Sequence, residues 1–362
     1  RGARRGSDPV LLGATAALVV TGLAFVSIAT TGGLHPTAPL VLRQALALAV
    51  GVLLGALAAR SDHRRVALAA PLLYGATLVL LVVVLVAGPT INGARAWLVA
   101  GPLRLQPSEV AKVALLLLLA SLAYERREPA LSVRGVCVVL GAAAPPMALI
   151  LAQPDLGTFL VFVALVVVVL LVAGARRRHL LVLAVLGVAV AALAWQFDLV
   201  KDYQLARVGA FLDAGAADPQ GVGYNSAQAQ IAVGAGGLTG RGLQAGEQSA
   251  LGFVPENHTD FIFTVVGEET GFVGAVLVLS CYALLLWRGM RIAAVARDLL
   301  GTLIAAGVVT VLAVQVTIAV GMTVGLVPVI GLPLPLLSYG GSSAVASLVM
   351  VGLLCSVERS AR

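Results

Sequence analysis

The sequence predicts an all-α, polytopic membrane protein, folded as a single membrane domain over residues 1–362. Composition, the spacing of apolar segments and the distribution of arginine together predict this class. The chain is 60% hydrophobic and 11% charged, with a mean hydropathy of +1.01. Soluble domains carry about a quarter of their residues as charged side chains. The net charge of +7 does not call for a nucleic-acid partner, because the charges sort by membrane side.

Ten apolar segments are long enough to cross a bilayer as helices. A transmembrane helix needs about 20 mostly apolar residues. The ten segments are 10–30, 40–59, 66–87, 107–124, 134–152, 156–173, 180–197, 260–287, 299–325 and 341–357. The first is too long for the hydrophobic part of a signal peptide and shows no clear cleavage site, so we expect it to anchor the chain.

The arginine residues predict the orientation. With the N-terminus inside, every inner segment is short and basic, and together these segments hold 17 of the 24 Lys and Arg residues. Inner loops of membrane proteins carry this excess of positive charge. Both termini are therefore predicted to be cytoplasmic. Cys137, Cys281 and Cys355 fall inside predicted spans, where we expect packed thiols rather than a disulfide or a metal site.

The outer loops hold most of the informative polar residues. The second outer loop, 88–106, contains Trp97, which fits either an interfacial aromatic belt or a site. A large loop, Asp198 to Thr259, joins helices 7 and 8 and is far longer than ordinary connections. Its alternation of apolar and polar residues and its glycines predict short amphipathic helices on the outer leaflet, joined by glycine turns.

Two turn-like stretches on the outer side are expected to border a cavity. In the turn that precedes the sixth span, Asp155 is placed to cap the helix, where a carboxylate meets free N–H groups. The last outer segment, 326–341, contains three prolines that break a helix. Broken backbone at membrane depth is tolerated only inside protein or along a cavity. We therefore expect a re-entrant turn that faces the same cavity as Asp260.

Ionisable residues in the fourth span form a candidate pair. Glu109 and Lys112 are three residues apart, so they lie on one face of the helix, and Ser108 is a plausible N-cap. One interpretation is a self-neutralising pair near the interface, with Lys112 extended outward. The other is a functional pair, because ionisable residues in spans usually face the bundle interior or a wet cavity.

The start of the eighth span carries the main candidate. Asp260 follows His258 at the threshold of an apolar run. On a continuous helix Glu268 would lie about two turns further on the same face, while Glu269 would point elsewhere. Either glutamate could instead accept interhelical hydrogen bonds. From the residues alone, a cavity lined by Glu109, Lys112, Asp155 and Asp260 fits a proton-coupled transporter as well as an enzyme.

Six stretches resemble the shape, elongation, division and sporulation (SEDS) family of peptidoglycan polymerases. They are residues 92–97, 106–112, 153–158, 223–228, 255–261 and 333–343. They occur in the family's order over almost the whole chain, and ten spans fit the family. One departure is Ala96, where the family often has a second arginine beside Arg95. The departure puts any role of that second arginine in doubt here.

The resemblance implies glycosyl transfer on the outer face of the bacterial cytoplasmic membrane. The substrate would be lipid II, a disaccharide-pentapeptide on undecaprenyl pyrophosphate. The sugar 4-hydroxyl would attack the anomeric carbon of the growing strand and release undecaprenyl pyrophosphate. Asp260 carries over as the essential acidic residue, in the role of general base. Partial burial at the membrane edge would raise its pKa from about 3.9 to a useful value.

The resemblance also implies further site residues and partners. Positive charge for the pyrophosphate could come from Lys112, Arg207, Arg241 or a divalent cation, Mg²⁺ or Mn²⁺, and we favour the cation with basic help. The partners would be a class B penicillin-binding transpeptidase and other wall-elongation membrane proteins, with no nucleic acid. The expected cavity or substrate-binding residues are Lys112, Glu109, Asp155, Trp97, Arg207, Arg241, Glu256, His258 and Ser338.

Two other functions stay open at this point. A lipid II flippase would need a polar route to the inner side, and transporters often show inverted repeats. We find no convincing repeat between the first and last five spans. A non-catalytic scaffold for wall enzymes would tolerate replacement of Asp260.

Overall fold

The computed structural model describes residues 8–31, 37–91, 93–101, 103–126, 131–197, 205, 207, 209, 211, 222–250 and 252–361. Two features of the sequence analysis, Asn92 in the first family stretch and Asp198 at the start of the large loop, lie outside these residues.

Helices dominate the described chain. The first eight are α1 (Pro9–Thr31), α2 (Thr37–Arg60), α3 (His63–Leu68), α4 (Ala70–Ala87), α5 (Pro107–Glu125), α6 (Val133–Ala152), α7 (Leu156–Val172) and α8 (Arg177–Gln196). The others are α9 (Val222–Gly236), α10 (Glu247–Ala250), α11 (Ile262–Val295), α12 (Leu299–Thr323) and α13 (Gly341–Ala361). Strands β1 (Leu98–Ala100) and β2 (Leu103–Leu105) form a small antiparallel hairpin that the sequence analysis did not predict.

The prediction of a helical polytopic membrane protein is confirmed. Eight described helices are long and apolar enough to cross a membrane: α1, α2, α4, α5, α6, α11, α12 and α13. Helix α7 is apolar but shorter, and α8 has 20 residues. The count of ten spans and the membrane side of each loop stay predictions.

One predicted helix start and one predicted helix cap are wrong. The third span begins at Ala70 rather than at residue 66, because α3 ends at Leu68 and Pro71 occupies the first turn of a new helix. A proline is tolerated at that position since its missing N–H has no intrahelical partner there. Helix α5 is capped at Gln106 rather than at Ser108, again with a proline in the first turn. Ser108 is instead a fully buried residue within the helix.

The bundle is organised around three inner helices. In α5, α12 and α13 the share of buried residues is 78%, 61% and 83%, against 22% in α2 and α4. Helix α13 lies so close to α2 that a side chain on Gly352 would collide with the carbonyl oxygen of Gly55. The peripheral helices therefore turn most of their apolar surface toward lipid.

Four of the six predicted inner segments meet at one end of the molecule. The backbone N–H of Asp8 donates to Glu358 (2.9 Å), and Arg288 forms an ion pair with Asp8. Arg64 pairs with Asp298 at 2.6 Å. These contacts connect α1, α3, α11, α12 and α13. We call this the basic end, and the opposite end the Asp260 end.

Helix α11 begins at Ile262 and is interrupted at Gly271, so Asp260 does not lie on one continuous helix with Glu268, and the predicted span is not one unbroken helix. Gly271 has φ 65° and ψ −162°, a conformation that separates a short first half, 262–270, from a long second half. A loop at residues 237–242, the bridging loop, supplies backbone partners to both halves. Its hydrogen bonds run from Arg241 to Glu268 (2.9 Å), from Gly242 to Glu269 (3.1 Å), from Phe272 to Gly237 (2.9 Å) and from Val273 to Leu238 (3.1 Å).

The described part of the large loop packs on the protein body, and its predicted position at the outer leaflet stays a prediction. Ala229 and Ala232 of α9 are fully buried, in a cluster with Val254 and Phe261. Gly236 lies against the carbonyl of Gly267 with no room for a side chain. Helix α9 is therefore held against the first half of α11.

Candidate active site

Asp260 lies in a turn that immediately precedes α11. The backbone N–H groups of Thr259 and Phe261 donate to the carbonyl of Glu256, at 3.1 and 3.2 Å. The Thr259 hydroxyl donates to the Glu256 carboxylate at 2.8 Å. Glu256 has a left-handed backbone with φ 54°. These bonds fold residues 256–261 into a compact turn, which we call the Asp260 turn. Asp260 itself is half-buried.

The segment between α12 and α13 forms the facing wall, as the prolines predict. Residues 324–340 contain no regular helix. A methyl group on Gly331 would lie 3.3 Å from the Oδ2 atom of Asp260, so bare backbone passes close to the carboxylate. Gly331 has φ 80°, which a glycine adopts without strain. Arg207 donates to the carbonyl of neighbouring Ile330 at 3.2 Å.

The surroundings of Asp260 raise its pKa to about 7. Burial is the largest cause, because it penalises the charged form. The negative charges of Glu256 and Asp155 raise the pKa further, and the positive charge of Arg207 lowers it. A carboxyl group with a pKa close to neutrality is a far better base than an ordinary aspartate.

Asp155 has the predicted capping role and also lies near the site. Its Oδ1 atom accepts a hydrogen bond from the N–H of Thr158 (2.9 Å), which fixes the start of α7. Its Oδ2 atom lies 3.4 Å from the side-chain amide of Gln106. Asp155 therefore joins the ends of α5 and α7 to the neighbourhood of Asp260.

The irregular wall is fastened at several points. The Ser338 hydroxyl accepts from the N–H of Leu334 (2.9 Å), so this predicted site residue holds the local turn together. His258 packs its ring against Tyr339 at 5.6 Å between centroids, and its carbonyl accepts from the Tyr339 N–H at 2.9 Å. Gln44 of α2 bonds to the backbone of Ser338 and of Gly340.

Glu109 and Lys112 form a buried ion pair in α5, with 2.7 Å between Nζ and Oε1. Their side chains are 2% and 0% exposed, which places them inside the bundle rather than extended to the interface. The spacing argument for a shared face is confirmed. A direct contact of either residue with substrate stays a prediction.

Trp97 and Arg241 lie in other surroundings. Trp97 is half-buried just before β1. Arg241 is exposed on the bridging loop, where its guanidinium donates to the carbonyl of Ala235 at 2.8 Å. Of the three basic residues predicted to supply positive charge to the pyrophosphate, Arg207 is the one whose charge acts on Asp260.

The metal hypothesis has limited support from the side chains. In the described part of the chain, no group of three or more His, Cys, Asp and Glu residues is arranged to hold a metal ion. Mg²⁺ needs fewer protein ligands when it binds a phosphorylated substrate, since one or two carboxylates suffice. Glu256 and Asp155 are the carboxylates whose charge reaches Asp260.

Sequence reasoning missed several residues that build the site. Gln44 and Tyr282 fasten the irregular wall, the latter by donating to the carbonyl of Pro335 at 2.5 Å. Gly331 allows the backbone of the wall to approach Asp260 closely. Gln44 and Tyr282 are polar groups within apolar helices, which is a detectable signal. The role of Gly331 depends on a contact with Asp260 across 71 residues of chain, and no local pattern reveals it.

Comparison with known proteins identifies the family. The family model of the FtsW, RodA and SpoVE cell cycle proteins matches residues 9–362. The peptidoglycan glycosyltransferase MrdB of Escherichia coli K12 is 41% identical over 292 residues, which is 80% of this chain and 77% of MrdB. The probable peptidoglycan glycosyltransferase FtsW of Geobacter metallireducens is 35% identical over 360 residues, 97% of this chain and 94% of that protein.

Solved structures agree with this relationship. A chain from a peptidoglycan synthase complex, whose structure concerns coordination of polymerisation and crosslinking, aligns with a TM-score of 0.84 at 39% identity over 99% of both chains. The rod shape determining protein RodA of Thermus thermophilus aligns with a TM-score of 0.72 at 36% identity over 98% of both chains.

The fold and the site thus define a multi-pass enzyme of the bacterial cytoplasmic membrane that makes peptidoglycan glycan by glycosyl transfer. The chain belongs to the FtsW/RodA/SpoVE (SEDS) family, and within it is most like RodA.

Proposed function

We propose that this enzyme polymerises lipid II at the Asp260 end, with Asp260 as the general base. The observation that carries the proposal is the placement of a half-buried carboxyl group, with its pKa raised to about 7, against the bare backbone of Gly331. A base of this kind is half deprotonated near neutral pH and strong enough to accept a proton from an alcohol.

The chemical step transfers a glycosyl group between two lipid-linked sugars. Asp260 accepts the proton of the acceptor 4-hydroxyl. At the same time, the oxygen of that hydroxyl forms a bond to the anomeric carbon of the growing strand. The bond from that carbon to the pyrophosphate oxygen breaks, and undecaprenyl pyrophosphate leaves with the electron pair. Arg207, whose positive charge acts on Asp260, would interact with the negative charge that develops on the leaving group.

A divalent cation would accompany the pyrophosphate in this proposal. It would supply further positive charge to the leaving group, and Glu256 and Asp155 would help to hold it. The chain's own residues still carry the proton transfer and the orientation of the acceptor.

A class B penicillin-binding transpeptidase would crosslink the glycan as it forms, together with other membrane proteins of wall elongation. Support comes from the similarity over nearly the full chain to a member of a peptidoglycan synthase complex that couples polymerisation and crosslinking.

The test is polymerisation of labelled lipid II by purified protein in detergent or liposomes, with and without the transpeptidase partner. We expect glycan ladders from the native enzyme and a loss of at least about 100-fold for Asp260→Asn, because general-base catalysis contributes roughly 10²–10⁴-fold. Glu125→Gln, an exposed acid at the far end of α5, is the matched control and should retain native rates.

Two outcomes would overturn the proposal. Ladders of native intensity from Asp260→Asn would remove Asp260 from the mechanism. Transfer of lipid II across vesicle membranes without any ladder, by the native enzyme with its partner, would favour a flippase.

A further inference from the structure

Glu268 makes an unusual set of contacts for a carboxylate inside a membrane protein. Its side chain is on the first half of α11 and is 1% exposed. It accepts hydrogen bonds from the N–H of Gln248 (2.8 Å), from the N–H of Ser249 (2.9 Å) and from the Ser249 hydroxyl (2.5 Å). A buried carboxyl group that accepts three hydrogen bonds fixes the position of its donors, because each buried donor would be costly to leave unpaired.

A further hydrogen bond connects Ser249 to the Asp260 turn. The side-chain amide of Asn257 donates to the carbonyl of Ser249 at 3.2 Å, and both residues are more than nine-tenths buried. Asn257 is within the Asp260 turn, next to Glu256, whose carbonyl accepts from Thr259 and Phe261. Glu268, Ser249 and Asn257 thus form one connected series of hydrogen bonds that ends at the turn carrying Asp260.

Glu268 itself is held in place from both sides. Its backbone carbonyl accepts from Arg241 of the bridging loop at 2.9 Å, while its side chain holds residues 248 and 249. The residue therefore fixes the large loop to the same half-helix that begins directly after Asp260. A displacement of Ser249 would move the front of the Asp260 turn while α11 holds its end.

We propose that Glu268 is a positioning residue that sets the place of the Asp260 carboxylate through Ser249 and Asn257. This inference rests on the proposed role of Asp260 as the base. Precise placement matters because an error of about 1 Å in a reacting group can cost about 100-fold in rate. Glu268 does not touch substrate in this account, and its effect passes through the turn.

Glu269 provides a matched control. It is the next residue, it is equally buried at 2%, and its carboxylate also binds the large loop, through the N–H of Gly246 at 3.3 Å. Among the described residues, the hydrogen bond of the Glu269 carboxylate ends at the loop backbone and does not lead to Ser249 or Asn257. Loss of either carboxylate loosens the loop, but only loss of Glu268 disconnects the Asp260 turn.

The experiment measures kcat, KM and the pH profile of lipid II polymerisation for the native enzyme and for Glu268→Gln, Asn257→Ala and Glu269→Gln. We expect Glu268→Gln and Asn257→Ala each to lower kcat roughly 10- to 100-fold with KM nearly unchanged. Glu269→Gln should keep kcat within about twofold. The double variant Glu268→Gln/Asn257→Ala should be no slower than the slower single variant, because both act through one series of contacts.

The pH profile separates positioning from general loss of structure. Asp260 is faced by Glu256, Arg207 and Asp155, and none of these is changed. If the turn loosens and water reaches Asp260, the rising limb of kcat should move to lower pH in both single variants. Ser249→Thr, which keeps the hydroxyl donor, should retain more activity than Ser249→Ala. If Glu268→Gln does not fold, this pair of variants tests the positioning role, and equal activity of the two would contradict it.

Three results would contradict the inference: native kcat and pH profile in Glu268→Gln, an equal kcat loss in Glu269→Gln, or additive losses in the double variant. Asp260→Asn is assayed in parallel. If it is active, the proposed function fails. If it is inactive while Glu268→Gln behaves as native, the positioning role alone is wrong.

Discussion

The proton affinity of Asp260 depends on its burial and on three charged neighbours. Its pKa in the folded protein is about 7, against about 3.9 for a free aspartate. The folded state therefore holds this proton more tightly than the unfolded state does. The contribution to stability is fully present below about pH 4 and is lost as pH rises through about 7. The deprotonated form of Asp260, which the proposed mechanism needs, is therefore the form in which this group no longer adds to stability.

Residue-level predictions succeeded where the contact is local. Glu109 and Lys112 pair because three residues of helix bring them together, and Asp155 caps the helix that follows it. The partners of Glu268 are about 20 residues away, across a loop whose path the sequence does not specify. Its role in holding that loop was for this reason not predicted, although a carboxylate in an apolar run did signal a function.

The interruption of α11 shows how an element can be broken without loss of backbone hydrogen bonds. A break leaves carbonyl and N–H groups free, which is costly where water is excluded. The bridging loop pairs with these groups on both sides of Gly271. The sequence contains the needed glycines, but glycine spacing in a span is also compatible with a straight helix. The interruption depends on backbone hydrogen bonds with the bridging loop. These are tertiary contacts, which no local sequence pattern reveals.

A substitution at the interruption tests this element. Gly271→Ala places a side chain where it would collide with the backbone of the bridging loop at Gly240 and Leu238, in a conformation with φ 65°. Strain of this kind costs about 1–3 kcal/mol before the collision is counted. We expect a lower midpoint of thermal unfolding in detergent and loss of polymerisation.

The control for that substitution is Gly234→Ala, in the helix that packs beside the same loop. A side chain there would meet open space, and alanine favours a helix by up to about 1 kcal/mol over glycine. The control should unfold at an equal or higher temperature. If both variants unfold at the native temperature, the bridging loop does not constrain the break.

The whole molecule separates its charges between two ends. At the basic end, Asp8, Arg288 and Glu358 connect the first and last described helices. At the Asp260 end, the turn, the irregular wall and the large loop come together. This grouping follows from the alternation of spans, so it could be predicted from apolar segments and arginine positions. The packing of α9 onto the protein body could not be predicted, because the sequence of α9 suits a membrane surface as well.

Labelling of single cysteines tests the orientation. In a variant with Cys137, Cys281 and Cys355 replaced by serine, Glu247→Cys at the Asp260 end and Arg65→Cys at the basic end both offer exposed positions. We expect a membrane-impermeant maleimide to label the first in intact spheroplasts, and the second only after lysis. The reverse pattern would place Asp260 in the cytoplasm and contradict an outer-face reaction.

The pH dependence of kcat/KM for lipid II polymerisation is the most direct test of Asp260 as the base. We expect the rate to rise with pH up to about 7 and then level off, because the deprotonated carboxylate is the active form. In Glu256→Gln this rise should move to lower pH, since the charge of Glu256 raises the pKa of Asp260. A rate that is constant from pH 5 to pH 9, or a rise that persists unchanged in Asp260→Asn, would contradict the account.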